Sequence, residues 1–179
     1  MERDEPGDLR TLFTTDPGLG GNDTISGTAG TNAFLGGYGD DTLVAGSYRD
    51  AVLGDNGTLT VRGSADPDLV SSDYADGGND SLDTSAGGTN LAILGSADDS
   101  HTGGPGLDLI LFDNGTIERD TDDLLTPLRL RSLVDDTEAG NDTATGGAGN
   151  GVFVGGLGDD QLAAGGGNNV VFANAADLV

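Results

Sequence analysis

The chain contains no cysteine, so neither a disulfide nor a thiolate metal site can hold it together. It contains no lysine either: its seven basic residues are all arginine, too few for the phosphate contacts that nucleic-acid binding requires. An anionic membrane surface is disfavoured for the same reason, and no apolar run approaches the roughly 18 residues that would span a bilayer. Tryptophan is absent and aromatic residues make up only 4% of the chain, which excludes an ordinary core of large side chains. One histidine cannot build a histidine zinc cluster. With no G-x-S-x-G elbow and no P-loop, an enzyme is not expected. The opening MERDEPGDLR is charged where a signal peptide would be apolar.

What is abundant is glycine, 33 residues of 179, and acid, 31 Asp and Glu, leaving a formal charge of −24. Such a chain repels itself and stays disordered unless a cation neutralises it. With thiolates excluded, oxygen ligands remain.

The glycines and acids are phased. The pattern G-G-x-G-x-D-x-(apolar)-x is complete at Gly36 to Val44 (GGYGDDTLV), Gly103 to Leu111 (GGPGLDLIL) and Gly155 to Ala163 (GGLGDDQLA). Stepping by nine gives GLGGNDTIS, GTAGTNAFL, GGYGDDTLV and AGSYRDAVL over residues 18–53. A second block, ADGGNDSLD, SAGGTNLAI, LGSADDSHT and GGPGLDLIL, covers 75–111 with Thr84 as one extra residue. The third, TEAGNDTAT, GGAGNGVFV, GGLGDDQLA and AGGGNNVVF, covers 137–172. A Gly-Asp turn alone is ordinary turn chemistry; repeated in register it specifies a stacked architecture.

On these residues the sequence resembles the RTX (repeat-in-toxin) calcium-binding nonapeptide family. The resemblance implies an all-β fold, a right-handed parallel β-roll or β-solenoid with Ca²⁺ in the turns, its three blocks separated by irregular larger coils. In that family six residues turn and bind the ion, three form a strand, and two units make a coil. The residues agree on physical grounds. Glycine permits the turns that aim backbone carbonyls inward, and Asp supplies the hard oxygen that suits calcium's six to eight or so ligands. Several Ca²⁺ per chain are expected. Carbonyl ligands are expected from the turn glycines Gly18, Gly36, Gly37, Gly39, Gly103, Gly104, Gly106, Gly155, Gly156 and Gly158. The apolar eighth position holds Ile25, Phe34, Leu43, Val52, Leu82, Ile110, Phe153, Leu162 and Val171, with Ala92, Ala144 and His101 as weaker members; these stack into a thin interior.

Two units per coil means that alternate units line opposite edges. The odd units carry Asp23, Asp41, Asp80, Asp99, Asp142 and Asp160 at the sixth position; the even units carry Asn32, Asp50, Asn90, Asp108, Gly151 and Asn169. A strong calcium edge and a weaker one follow, with the Gly151/Asn169 pair empty or water-filled. Metal is expected between units eighteen residues apart within each block, and six such ions would offset half of the charge deficit. Asp40 and Asp159 read as solvated neighbours, and His101 as structural or exposed.

Residues 54–74 and 112–136 depart from the rule. Both open on Asp-Asn-Gly-Thr, become strand-like at Thr58 to Arg62 and at Leu128 to Val134, and are broken by Pro67 and Pro127; each is read as one larger coil. Of five Asn-x-Ser/Thr sequons, only Asn56 and Asn114, in these connectors, read as glycan acceptors. Residues 1–17 match the second half of a connector and 173–179 the first half. The chain therefore reads as one continuous solenoid: half connector 1–17, repeat block 18–53, connector 54–74, block 75–111, connector 112–136, block 137–172, half connector 173–179.

Solenoid ends expose open edges unless capped, and head-to-tail contacts that do not close make filaments. The leading expectation is a secreted, extracellular or cell-surface calcium-binding structural protein. Its partner is itself, through 1–17 and 173–179, with no nucleic acid and no membrane insertion. The alternative is a fragment, or the C-terminal folding and secretion module of a longer type I secreted adhesin, toxin or exoenzyme, whose acidic-apolar ends Asp177-Leu178-Val179 resemble. An ice-binding array would need rows of Thr, of which only Thr58-Leu59-Thr60 hints.

Overall fold

The computed structural model describes residues 11–60, 68–119, 128–133, 140–174 and 177–178. Among them the strands are, in chain order, β1 (Thr11–Phe13), β2 (Thr24–Ser26), β3 (Asn32–Leu35), β4 (Thr42–Val44), β5 (Arg49–Leu53), β6 (Gly57–Thr60), β7 (Asp68–Ser71), β8 (Ser81–Asp83), β9 (Thr89–Ile93), β10 (Ser100–Thr102), β11 (Leu107–Leu111), β12 (Gly115–Arg119), β13 (Leu128–Ser132), β14 (Thr143–Thr145), β15 (Asn150–Val154), β16 (Gln161–Ala163), β17 (Asn169–Phe172) and β18 (Asp177–Leu178). No helix among the described residues is long and apolar enough to cross a membrane.

Three six-stranded sheets result. The odd units form one parallel sheet, β2-β4-β8-β10-β14-β16, and the even units a second, β3-β5-β9-β11-β15-β17. Pairing runs in strict register across the connectors: Leu43 lies beside Leu82 and His101 beside Ala144, as Ile25 lies beside Leu43. The parallel roll expected from the repeat is the body of the molecule, and its ladder does not stop at block boundaries.

The third sheet, β1-β6-β7-β12-β13-β18, is antiparallel. Each connector completes its coil through a hairpin, β6 against β7 and β12 against β13, rather than through a wider parallel strand. Pro67 and Pro127 lie outside the described residues. β1 pairs with β6 as β7 does on its other edge, and β18 pairs with β13 as β12 does. First and second hairpin halves therefore alternate across the whole sheet.

Two cores follow from the strand sequences. Odd strands read polar-apolar-polar (Thr-Ile-Ser, Ser-Leu-Asp), which suits a sheet wet on one face; even strands read apolar throughout (Ala-Val-Leu, Leu-Ile-Leu), which suits a sheet covered on both. The eighth-position residues Phe34, Leu43, Val52, Leu82, Ile110 and Phe153 pack between the two parallel sheets. The flanking residues of the even strands, such as Leu53, Leu91, Ile93 and Leu111, pack against Leu59, Leu69, Ile117 and Leu130 of the hairpin sheet. The even sheet is thus the middle of three layers, and the interior is not the single thin stack predicted from the eighth position.

Candidate metal centre

On the odd edge, six turns bring Asp23, Asp41, Asp80, Asp99, Asp142 and Asp160 into one column. Each backbone N–H donates to Oδ1 of the next aspartate: Asp23 to Asp41 at 2.7 Å, Asp41 to Asp80 at 2.8 Å, Asp80 to Asp99 at 2.7 Å, Asp99 to Asp142 at 2.8 Å, and Asp142 to Asp160 at 3.0 Å. One oxygen of each carboxylate is thereby fixed by the backbone. The other, Oδ2 of Asp41, Asp80, Asp99, Asp142 and Asp160, is buried and has no hydrogen-bond partner. An anionic oxygen buried without a partner is costly, and five in one row point to a cation they were shaped to meet.

Glycine makes the room. A Cβ on Gly36 would meet Asp41 Oδ2 and the Gly54 carbonyl; one on Gly54 would meet Asp80 Oδ2 and the Leu94 carbonyl; one on Gly155 would meet Asp160 Oδ2, with the Ala173 carbonyl 2.9 Å away. Each cradle therefore offers a carboxylate and a carbonyl oxygen. No three His, Cys, Asp or Glu side chains among the described residues converge on a metal, so an ion here draws on few carboxylates and completes its shell with carbonyls and water, as Ca²⁺ readily does. The sites also recur where the sequence reading placed none: Asp41 with Asp80, and Asp99 with Asp142, are rungs across a connector, separated by 39 and 43 residues. The within-block tally of six pairs misses them because a hairpin, however long, returns the chain to the same register.

Without a cation these carboxyls resist ionisation. Burial, then the charge of Asp55, pushes Asp80 up to about 9. Burial raises Asp142 to about 8 and Asp99 well above the carboxylate range, Asp80 and Asp142 adding repulsion to Asp99. Asp41 and Asp160, nearer the ends, are raised by burial as well. A divalent ion between rungs would reverse each of these penalties.

The turn glycines divide by edge. Gly37, Gly39, Gly156 and Gly158 have φ between +102° and +126°, the region that side chains resist. Ala97 occupies the equivalent fourth position in the middle block, at φ +76°. Gly103, Gly104 and Gly106 belong to the even edge, Gly103 lying against Asp108 Oδ2 and Gly106 on the Gly88 carbonyl. Gly18 faces the Asp76 carboxylate.

The even edge pairs its carboxylates with amides, leaving only the neutral oxygens Asn90 Oδ1 and Asn169 Oδ1 buried without a partner. Asn32 Nδ2 donates to Asp50 Oδ1 at 2.6 Å, and the Gly46 N–H donates to Asp50 Oδ2 at 2.7 Å. Asn90 Nδ2 donates to Asp108 Oδ1 at 2.8 Å, and Asp108 also accepts from Thr84 and Gly104. An amide therefore stands where the odd edge would need a cation. Asn169 Nδ2 turns back to the Gly166 carbonyl at 2.7 Å, and with Gly151 opposite no carboxylate is present at that rung. Thr84, the extra residue, is fully buried, its Oγ1 2.9 Å from His101 Nε2. His101 lies between the rings of Phe112 and Phe153, and burial lowers it to about 4, so it is a neutral core residue.

Two carboxylates went unread in the sequence. Asp55 and Asp113, from the shared Asp-Asn-Gly-Thr, are both buried. Asp55 accepts the Gly78 N–H at 2.9 Å and the Ser96 N–H at 2.5 Å; Asp113 accepts those of Gly140 at 3.2 Å and Leu157 at 2.5 Å. Each ties the chain where a hairpin leaves the odd edge to the point of its return. Burial raises Asp55 to about 8 and Asp113 to about 6, and both repel the neighbouring ladder. The recurrence of the tetrapeptide was the available signal. It also overturns the reading of Asn56 and Asn114 as glycan acceptors: both are buried, with Asn56 Nδ2 held by the Asp76 carbonyl at 2.5 Å and Asn114 Nδ2 by Ser96 Oγ at 3.0 Å.

Outside the aspartate column runs an exposed second row at the fifth position: Asn22, Asp40, Asn79, Asp98, Asn141, Asp159. Asn79 N–H and Nδ2 both reach Asp40 Oδ1, at 2.9 and 3.1 Å, and Asn141 does the same to Asp98 at 2.6 and 3.1 Å. The backbone N–H groups of Asp40, Asp98 and Asp159 donate in turn to Asn22, Asn79 and Asn141. Asp40 and Asp159 are exposed, as expected, but they are ordered by this alternation, and the Asn79 N–H holds Asp40 below the usual carboxylate range.

A family model of the RTX calcium-binding nonapeptide repeat, in four copies, matches residues 17–50, 35–70 and 136–171. The matched segments together span half of the chain and leave the middle block, where Leu94, Ala97 and His101 depart from the pattern, outside them. No curated protein and no solved structure matches. A phased ladder of paired aspartates with unsatisfied buried oxygens, in turns cleared by glycine and matched by this model, places the chain in the RTX calcium-binding nonapeptide repeat family.

Proposed function

We propose that this chain is a secreted structural protein, not an enzyme, that folds when Ca²⁺ fills its odd edge and then stacks head to tail into an extracellular filament or matrix. The supporting observation is that, among the described residues, the outermost strands of all three sheets at one end match in type and register the strands that would continue them from the other end. Among the described residues, β18, β16 and β17 are unpaired on one side at one end, and β1, β2 and β3 at the other. A first hairpin half ends the antiparallel sheet at β18, and a second half begins it at β1. Val170, Val171 and Phe172 of β17 are 44%, 41% and 36% exposed, although their counterparts within the stack are covered.

Inside the cell, where free Ca²⁺ is low, the stacked carboxylates disfavour the fold; outside, near-millimolar Ca²⁺ of the kind weak modular sites use would drive it. Far-UV circular dichroism with and without chelator tests the folding step: a chelated sample at pH 7 that keeps its full β signal refutes it. Electron microscopy in Ca²⁺ tests the stacking step. Rods one solenoid wide are expected, and discrete particles at high concentration would instead favour a folding and secretion module of a longer secreted protein.

A further inference from the structure

Within the chain every rung of the aspartate column is finished by the next one, through an N–H to Oδ1 contact. Among the described residues no rung follows Asp160 to accept its N–H, and none precedes Asp23 to donate to its carboxylate. Asp160 Oδ2 is nonetheless buried and unpartnered, facing Gly155 and the Ala173 carbonyl, while Asp23 is exposed.

We propose that Asp23 of a second copy closes this rung, and that Asp160 Oδ2, the Ala173 carbonyl and the incoming Asp23 carboxylate together hold a calcium ion that neither copy holds alone. The inference rests on the head-to-tail reading above and adds that the joint is itself a metal site. Three features fix the register. Continuing the parallel sheets sets Gln161–Ala163 beside Thr24–Ser26 and Asn169–Phe172 beside Asn32–Leu35, so that Leu162 meets Ile25 and Val171 meets Phe34, as eighth-position residues meet throughout the stack. The same register sets Asn22 of the incoming copy beside Asp159, preserving the Asn-Asp alternation of the outer row; a slip by one coil would set Asp40 against Asp159. It also sets β1 beside β18, restoring the half-and-half order of the antiparallel sheet.

Folding and assembly then have separable calcium requirements. The test uses the full chain: the critical concentration for rod formation, from sedimentation, is followed against free Ca²⁺ above the range where circular dichroism shows folding complete. A log-log slope near −1 is expected, counting about one ion per subunit added by linkage. Asp23→Asn and Asp160→Asn should flatten that slope, their own folding midpoints being read by circular dichroism. Val171→Ser should raise the critical concentration and keep the slope. A flat slope for the parent chain, or an unchanged slope in both aspartate variants, overturns the shared site while leaving the filament standing. Absence of rods at every Ca²⁺ concentration overturns the filament reading and this inference with it.

Discussion

Replacing Asp80 with asparagine should move the calcium-free and calcium-bound proteins in opposite directions. Asp80 is 2% exposed, and its carboxyl is raised from 3.8 to about 9, chiefly by burial and then by Asp55. The sign follows from linkage. A carboxyl raised on folding costs nothing below its unfolded value, and the cost grows as pH climbs from there toward the folded value, so the calcium-free fold weakens from about pH 4 upward. At pH 7, keeping this proton that the unfolded chain has released costs up to about 4 kcal/mol. Asparagine carries no such cost and keeps Oδ1 for the Asp41 N–H, while its neutral amide takes the place of the unpartnered Oδ2 in the cradle that the Leu94 carbonyl also lines. The even edge already tolerates asparagine at this position, its amide meeting the next carboxylate from Asn32 to Asp50 and from Asn90 to Asp108. In chelator at pH 7 the variant should therefore recover β signal that the unfolded parent lacks, and at pH 4, where the parent folds too, urea unfolding should show almost no difference between them. In Ca²⁺ it should lose, with a folding midpoint raised about tenfold, because fewer ligand charges mean weaker calcium sites. A variant equally destabilised at pH 4 and pH 7 in chelator, or one whose calcium midpoint does not move, would refute the reasoning.

The same shifts predict that the parent chain takes up protons in place of calcium: acidifying a chelated sample from pH 8 to pH 4 should restore β signal, and adding Ca²⁺ at pH 7 in weak buffer should release protons, read with an indicator dye. Asn90→Asp should convert the even edge to calcium dependence, since it exchanges the 2.8 Å amide contact to Asp108 Oδ1 for a second carboxylate; thermal melts at limiting Ca²⁺ should show a loss of about 1–3 kcal/mol, recovered at saturating Ca²⁺. Gly54→Ala places a methyl among Asp80 Oδ2 and the Leu94 carbonyl and should abolish calcium-driven folding at accessible concentrations. Gly37→Ala, at φ +102° in open space, should cost only about 1–2 kcal/mol of backbone strain. Equal calcium midpoints for the two glycine variants would remove the basis for the cradle.

The repeating part of the fold was legible because one residue type in nine is tied to one geometric need: Asp at six for the ladder, apolar at eight for the core, glycine where a side chain would fill the cradle. The contrast between the edges was legible too, in Asp23 through Asp160 against Asn32, Asn90 and Asn169. The second core was present in plain letters, Ala-Val-Leu and Leu-Ile-Leu against Thr-Ile-Ser, but a rule reading only the eighth position passes over it. The hairpins were harder. β6 and β13 could be picked out by pattern, whereas β7 is Asp-Leu-Val-Ser and β12 ends on the charged pair Glu118-Arg119, and their pairing is antiparallel in a chain whose every other signal is parallel. Asp55 and Asp113 were illegible for a related reason. Their partners, Gly78, Ser96, Gly140 and Leu157, lie 23 to 44 residues away, and only the returning hairpin brings them close. The glycan reading of Asn56 and Asn114 failed because a sequon says nothing of burial.

Hairpins enter the odd edge at every second turn, before β2, β8 and β14, while β4, β10 and β16 follow a tight turn. Asn at the fifth position marks the first kind and Asp the second. The molecule's true translational unit is therefore two coils. A plain roll would scatter along its axis only at the strand spacing of about 4.8 Å; aligned rods of this protein should add a meridional reflection near 9.6 Å, twice that spacing. Any surface that reads the exposed carboxylates of Asp40, Asp98 and Asp159 meets them at that doubled interval, a coarser grating than the backbone beneath it.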